Sequence, residues 1–215
     1  MSTVIKITKE QLAELPLVEY PGKIAVIDTP DEASQAIAQI RAHKIVGFDT
    51  ETKPSFRKGQ VNKVALMQIS TGDTCYLFRL NKIGLPEPLK ELLEDKGVSK
   101  VGLSLKDDYM VLRRLCHFEP SGFVDLQEAV SNYKIADMSL QKVFAIIFGH
   151  RISKSQRLTN WEAPSLSHAQ QTYASIDAWA CLKIWHFLHD GLFDPESSPY
   201  ICEPKPAEAP NSPTE

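Results

Sequence analysis

Asp49 and Glu51 stand two positions apart where an apolar, β-branched run, Lys44-Ile-Val-Gly-Phe-Asp49, comes to its end. On a strand such positions share a face. Like charges that close repel, so the pair persists best where a cation neutralises it, although a polar strand end facing water would also carry two acids. Asp107 and Asp108 follow a second apolar run, Lys100 to Leu105, at the start of a helical pattern where acids also suit the helix dipole. Helical spacing separates them. Asp108 shares a face with Val111, Leu112 and Leu115, which points it toward the sheet, whereas Asp107 falls with Met110, Val111 and Arg114. Tyr173 and Asp177 lie one helical turn apart, on a face that also carries Ile176, Ala180, Cys181 and Ile184. No lysine or arginine occupies the adjacent turns of that face, and a buried carboxylate without a partner is costly. A backbone bond or a distant arginine is the structural alternative for Asp177. For four inward carboxylates together, two divalent cations are the simplest counter-charge. Two ions about 3.5–4 Å apart suit in-line phosphodiester cleavage, one activating a water and the other steadying the leaving oxygen. Hard oxygen ligands favour Mg²⁺ or Mn²⁺.

The elements that must carry these residues are legible from pattern. Lys23 to Asp28 reads as a strand and Pro30 to Ala42 as a helix, capped by Thr29 and inward along Ala33, Ala36, Ile37 and Ile40. Lys44 to Asp49, Lys63 to Ser70 and Thr74 to Leu80 read as strands, the last two joined by the hairpin residues Thr71-Gly72-Asp73. Pro86 to Glu94 reads as a helix, Lys100 to Leu105 as a strand and Lys106 to Cys116 as a helix. Further helices are expected over Asp125 to Tyr133, Ser139 to Phe148 and Ser167 to His189. A meander followed by β-α units and a helical C-terminal half predicts an α/β three-layer domain with a mixed sheet flanked by helices.

Composition sets the outer bounds. The 215 residues are enough for one full domain with a sizeable core, and 43% hydrophobic with 24% charged residues is ordinary globular usage. The longest apolar run, Val143 to Phe148, is too short to span a membrane, and Met1 to Lys6 lacks an apolar signal core. Cys75, Cys116, Cys181 and Cys202 form no C-x-x-C pair and read as reduced thiols of a cytoplasmic protein. The six histidines show no ligand spacing, and Met67 and Met110 read as core. The net charge of −3 argues against a strongly basic nucleic-acid binder, but the last 22 residues alone hold five acids, one lysine and six of the fourteen prolines. The expected organisation is therefore a lead over 1–22, a folded domain over 23–193 and a disordered Pro/Glu-rich tail over 194–215.

Five segments occur in a set order: Val46-Gly-Phe-Asp-Thr-Glu51, Lys63-Val-Ala-Leu-Met-Gln-Ile69, Lys100-Val-Gly-Leu-Ser-Leu-Lys-Asp-Asp108, Thr159-Asn-Trp-Glu-Ala163, and Leu166 to Ala178 with its Tyr-Ala-Ser-Ile-Asp177. Over residues 23 to 190 the chain closely resembles the DEDD superfamily of 3′–5′ exonucleases, in the tyrosine subclass of ribonuclease D and the Werner-type exonuclease domain. The resemblance implies a ribonuclease H-like fold, two divalent cations (Mg²⁺ or Mn²⁺), and stepwise release of nucleoside 5′-monophosphates from a free 3′ end of DNA or RNA. It assigns the metal-binding acids to Asp49, Glu51, Asp108 and Asp177, and adds Tyr173 as the fifth catalytic residue. The sister subclass carries a histidine where Thr172 stands here. Thr159 replaces the serine usual in the relatives, and the helical domains that follow the catalytic domain in ribonuclease D are missing from this sequence.

Cations are expected to flank an acidic site that receives a polyanion. Lys53, Arg57, Lys58 and Lys63 form one cluster, and Arg151, Lys154 and Arg157 a second. Phe56, Tyr109 and Trp161 are expected to offer stacking faces to bases, with a core anchor as the equal alternative for Trp161. The expected substrate-binding residues are Lys53, Arg57, Lys58, Tyr109, Arg157 and Trp161. Two rival readings remain: a restriction-type endonuclease built on Asp28 with Glu51-Thr-Lys53, and a non-catalytic nucleic-acid-binding module of the same fold.

Overall fold

The computed structural model describes residues 3–55 and 62–203. In chain order the elements are β1 (Val4–Ile5), α1 (Lys9–Glu14), β2 (Lys23–Ile27), α2 (Pro30–Ile40), β3 (Ile45–Thr52), β4 (Val64–Ser70), β5 (Thr74–Phe78), α3 (Leu80–Ile83) and α4 (Glu87–Glu94). They continue with β6 (Ser99–Gly102), α5 (Lys106–Leu112), β7 (Phe123–Asp125), α6 (Leu126–Asn132), α7 (Leu140–Phe148), α8 (His168–His189), a single 3₁₀ turn (Pro195–Ser197) and β8 (Ile201–Cys202).

Six strands form one mixed sheet in the order β2-β5-β4-β3-β6-β7. The β3-β4-β5 meander is antiparallel, while β2 on β5, β6 on β3 and β7 on β6 are parallel. All seven residues of β4 are buried, as a central strand covered on both faces requires. One face packs Ala33, Ala36, Ile37 and Ile40 of α2 and Leu89, Leu92 and Leu93 of α4. The other is covered by α8, joined by α6 and α7. Each large apolar side chain buried this way contributes about 1.5–3 kcal/mol.

Two local devices bring α8 down onto β3. Ser167 and Gln170 form a capping box that starts the helix on register. At Gly47 a Cβ would overlap the carbonyl oxygen of Ala178, so only glycine permits this approach. Asp177 thereby faces the strand that carries Asp49 and Glu51.

The helix cap at Thr29, the long C-terminal helix, the meander and its hairpin agree with expectation. Others differ. β3 runs on to Thr52, so Glu51 lies within the strand together with Asp49. The β6 strand ends at Gly102, and α5 stops at Leu112. The 1–22 lead belongs to the fold: Ile5, Ile7 and Leu12 enter the core against Ile135, Val143 and Phe144. Residues 194–203 likewise belong to the fold, because β8 pairs antiparallel with β1 and Tyr200 packs on the same core. Residues 204–215 lie outside the described residues. Met110 is 51% exposed and is not a core residue, unlike Met67, since α5 turns that face outward.

Candidate active site

The middle of β3 places Asp49 opposite Gln68 and Glu51 opposite Leu66 on β4, and the register shifts just after Glu51. Such a bulge re-aims the side chains beside it. Asp177 approaches from α8, and oxygens of Asp49, Glu51 and Asp177 lie within 4.8 Å of one another. Asp108, in the first turn of α5, stands beside this triangle, where its Oδ1 accepts a 2.5 Å hydrogen bond from the Thr50 hydroxyl. Its neighbour Asp107 is exposed, whereas Asp108 is half-buried. Asp108→Asn is therefore expected to be as damaging to turnover as loss of an inner acid, and Asp107→Asn mild. Steady-state kinetics of the two purified variants would reveal the reverse order if the other aspartate is the functional one.

None of the four acids shares an ion pair with a described residue. Burial, then the charges of Asp177, Asp108 and Glu51, hold the Asp49 carboxyl well above the usual range. Burial and Asp177 push Glu51 up to about 9, with Arg157 opposing. Asp177 rises to about 7 through burial, against the Tyr173 hydrogen bond and Lys154, and Asp108 rises to about 6 through burial, against the Thr50 bond. Gln68, directly across from Asp49, is fully buried with neither amide atom hydrogen-bonded among the described residues. An all-oxygen donor set, crowded negative charge with no ion-pair partner among the described residues and unused bonding capacity beside it fit hard divalent cations.

These shifts predict a pH dependence. A carboxyl whose pKa is higher folded than unfolded binds more protons in the folded state between the two values, so stability falls as pH rises across that window. For the metal-free protein the window runs from about 4, the unfolded carboxylate value, to about 9, the value for Glu51. The melting temperature of chelator-treated protein is expected to decline steadily over that range, and added Mn²⁺ to raise it most at the alkaline end. A flat profile, or a Mn²⁺ effect largest in acid, would contradict the crowding of these acids.

The Tyr173 hydroxyl hydrogen-bonds Asp177. Burial, then the charges of Asp177 and Glu51, push the phenol far above its ordinary range. Its ring lies 5.9 Å from that of Trp161. A cleft of about 260 Å³ opens over Asp49, Tyr173 and Asp177 and is walled by Ser139, Lys154 and Arg157. Cys181, one turn beyond Asp177 in the same wall, is held neutral by burial and the surrounding acids.

The expected substrate contacts divide. Arg157 is exposed and lines the cleft with Lys154. Lys53 pairs with Glu162 at 3.1 Å. Tyr109 is half-buried, edge-on to Phe123 at 5.1 Å. Trp161 must be corrected: it is fully buried among Leu66, Leu77 and Ala174, so no base can stack on it, and its function is to back the Tyr173 ring. Phe56, Arg57 and Lys58 lie outside the described residues. Asp28 accepts a 2.7 Å bond from Lys82 just past the end of β2, the edge strand separated from β3 by β5 and β4, which removes the endonuclease rival. Sequence pattern missed Thr50 and Gln68. A β-strand residue between two functional acids, and a glutamine inside an apolar run, were the available signals.

A 3′–5′ exonuclease family model matches residues 24–192. The chain belongs to the 3′–5′ exonuclease family. It is 31% identical over 185 residues to the mouse bifunctional 3′–5′ exonuclease/ATP-dependent helicase WRN, a match covering 81% of this chain and 13% of the mouse protein. The Nibbler EXO domain of Aedes aegypti superposes with a TM-score of 0.73 at 19% identity, covering 83% of this chain and 96% of that one. Escherichia coli RNase D superposes with a TM-score of 0.71 at 24% identity, covering 78% of this chain and 44% of the other. These likenesses establish the ribonuclease H-like fold, and the family is one of divalent-metal-dependent hydrolases. The chain thus spans a small part of the mouse protein and under half of the bacterial one.

Proposed function

We propose that this chain removes nucleotides one at a time from a free 3′ end of DNA or RNA, releasing nucleoside 5′-monophosphates. The observation that carries this reading is the triangle of Asp49, Glu51 and Asp177 oxygens within 4.8 Å, none of them in an ion pair among the described residues. Asp49, Glu51, Asp108 and Asp177 would hold two divalent cations, Mg²⁺ or Mn²⁺. Bound there, such ions activate a water and stabilise charge on the leaving oxygen.

The chain's own groups supply the rest. Tyr173 is a buried phenol, a poor base at neutral pH, so its hydroxyl orients the attacking water and the cations lower the water's pKa. Asp177 accepts the hydrogen bond that fixes the ring's polar end. Lys154 and Arg157, on the open side of the cleft, meet the entering phosphates and partly offset the acids. Few cations line the cleft, so affinity is modest and falls with salt by the small slope that few phosphate contacts give.

Matched DNA and RNA oligonucleotides, single-stranded and 3′-recessed, each assayed with Mg²⁺ and with Mn²⁺, test the reading and define the substrate together. Mononucleotide release with at least one of them is expected. Binding without cleavage under every condition would make the chain a nucleic-acid-binding module instead.

A further inference from the structure

Ser104 has φ of 64°, in the left-handed region that non-glycine residues seldom adopt. It sits in the turn between β6 and α5, shortly before Asp108. One side chain from the neighbouring strand fastens that turn. Asp125 Oδ1 accepts from the Ser104 amide at 3.1 Å and from the Gln127 amide at 3.0 Å. Its Oδ2 accepts from the Leu105 amide at 2.9 Å. The Gln127 Nε2 adds a 2.5 Å bond to the Ser104 hydroxyl. α5 has no side-chain cap of its own, since Leu105 occupies that position. Strained backbone persists where its surroundings over-determine it, and such sites cluster around function. Here the over-determined turn leads directly into Asp108, whose carboxylate is met on its far side by Thr50.

We propose that Asp125 is a positioning residue of the active site: it holds the Ser104–Leu105 turn and thereby seats Asp108 for cation binding and turnover. This deepens the exonuclease reading and rests on it. Asp125 touches neither the Asp49–Glu51–Asp177 triangle nor the cleft that opens over it. Its other role is to cap α6 through the Gln127 amide, and a variant can separate the two. Serine is as good a helix cap as aspartate, but its one short oxygen cannot also reach the Ser104 and Leu105 amides.

Asp125→Ser is therefore expected to lower the melting temperature only modestly while kcat per folded molecule falls about 10–100-fold, the range for partners that orient metal ligands. KM should move less than about twofold, since the fault lies in the reacting geometry. Calorimetric titration of the substrate-free variant with Mn²⁺ alone should show about tenfold weaker binding. Gln127→Ala, which leaves Asp125 in place, should shift both quantities the same way by a smaller factor. Wild-type kcat and Mn²⁺ affinity in Asp125→Ser would overturn the proposal. So would a fall in melting temperature with kcat per folded molecule and Mn²⁺ affinity intact, because Asp125 would then be a cap alone. A wild-type protein that binds Mn²⁺ but never cleaves, with that binding still weakened by Asp125→Ser, would overturn the exonuclease reading and leave the seating of Asp108 standing.

Discussion

Asp49→Asn and Asp177→Asn are each expected to yield a folded protein whose turnover is lower by about 10³-fold or more, at or above the effect of removing one electrostatic contact from a reacting centre. Both acids are packed against like charge, and asparagine keeps the shape while removing the charge that a cation would bind. The stability change should run opposite to the activity change. Each carboxylate raises its neighbours' protonation, so deleting one relieves repulsion in the metal-free protein. The melting temperature should stay level or rise, and stabilisation by added Mn²⁺ should largely vanish. Wild-type-like turnover in either purified variant would remove that acid from the reaction. A melting temperature lower by many degrees would make it a structural group.

Tyr173→Phe tests the second large effect. The substitution retains the ring, its packing on Trp161 and its place in α8, and removes only the hydroxyl that bonds Asp177. A phenol's ordinary pKa near 10 already makes it a poor general base at neutral pH, and burial pushes this one further up. Its part is to hold and orient water, so the loss should fall on kcat by about 10²–10⁴-fold, the range for an acid–base or positioning group. KM and Mn²⁺ affinity should change little, because the bond matters most in the transition state. A phenylalanine variant retaining more than about half of wild-type kcat would reduce Tyr173 to a packing residue.

The sequence was most informative where one short element determines placement. Two acids on one strand face, or a tyrosine and an aspartate one helical turn apart, are fixed by local geometry alone. The helix start at Thr29 was legible for the same reason, since a cap and the helix it opens are adjacent in the chain. What was not legible depends on chain-distant partners. Trp161 reads as an aromatic platform beside basic residues, and only the sheet packed beneath it shows that its face is already taken. The Asp125 staple reads as an ordinary helix start, because its bonds to Ser104 and Leu105 cross between parallel strands. The β1–β8 pair joins the two ends of the described chain, a contact that no local pattern encodes.

The most direct measurement follows a 5′-labelled single-stranded oligonucleotide and a closed circle of the same sequence, incubated with Mn²⁺ and wild-type protein, with chelator-treated and Asp177→Asn samples alongside. A ladder shortening from the 3′ end with nucleoside 5′-monophosphate accumulating, an intact circle, and no products in the chelated or Asp177→Asn samples are the predicted results. Cleavage of the circle, or equal product with metal removed or Asp177 replaced, would contradict a metal-dependent 3′–5′ exonuclease site built on these acids.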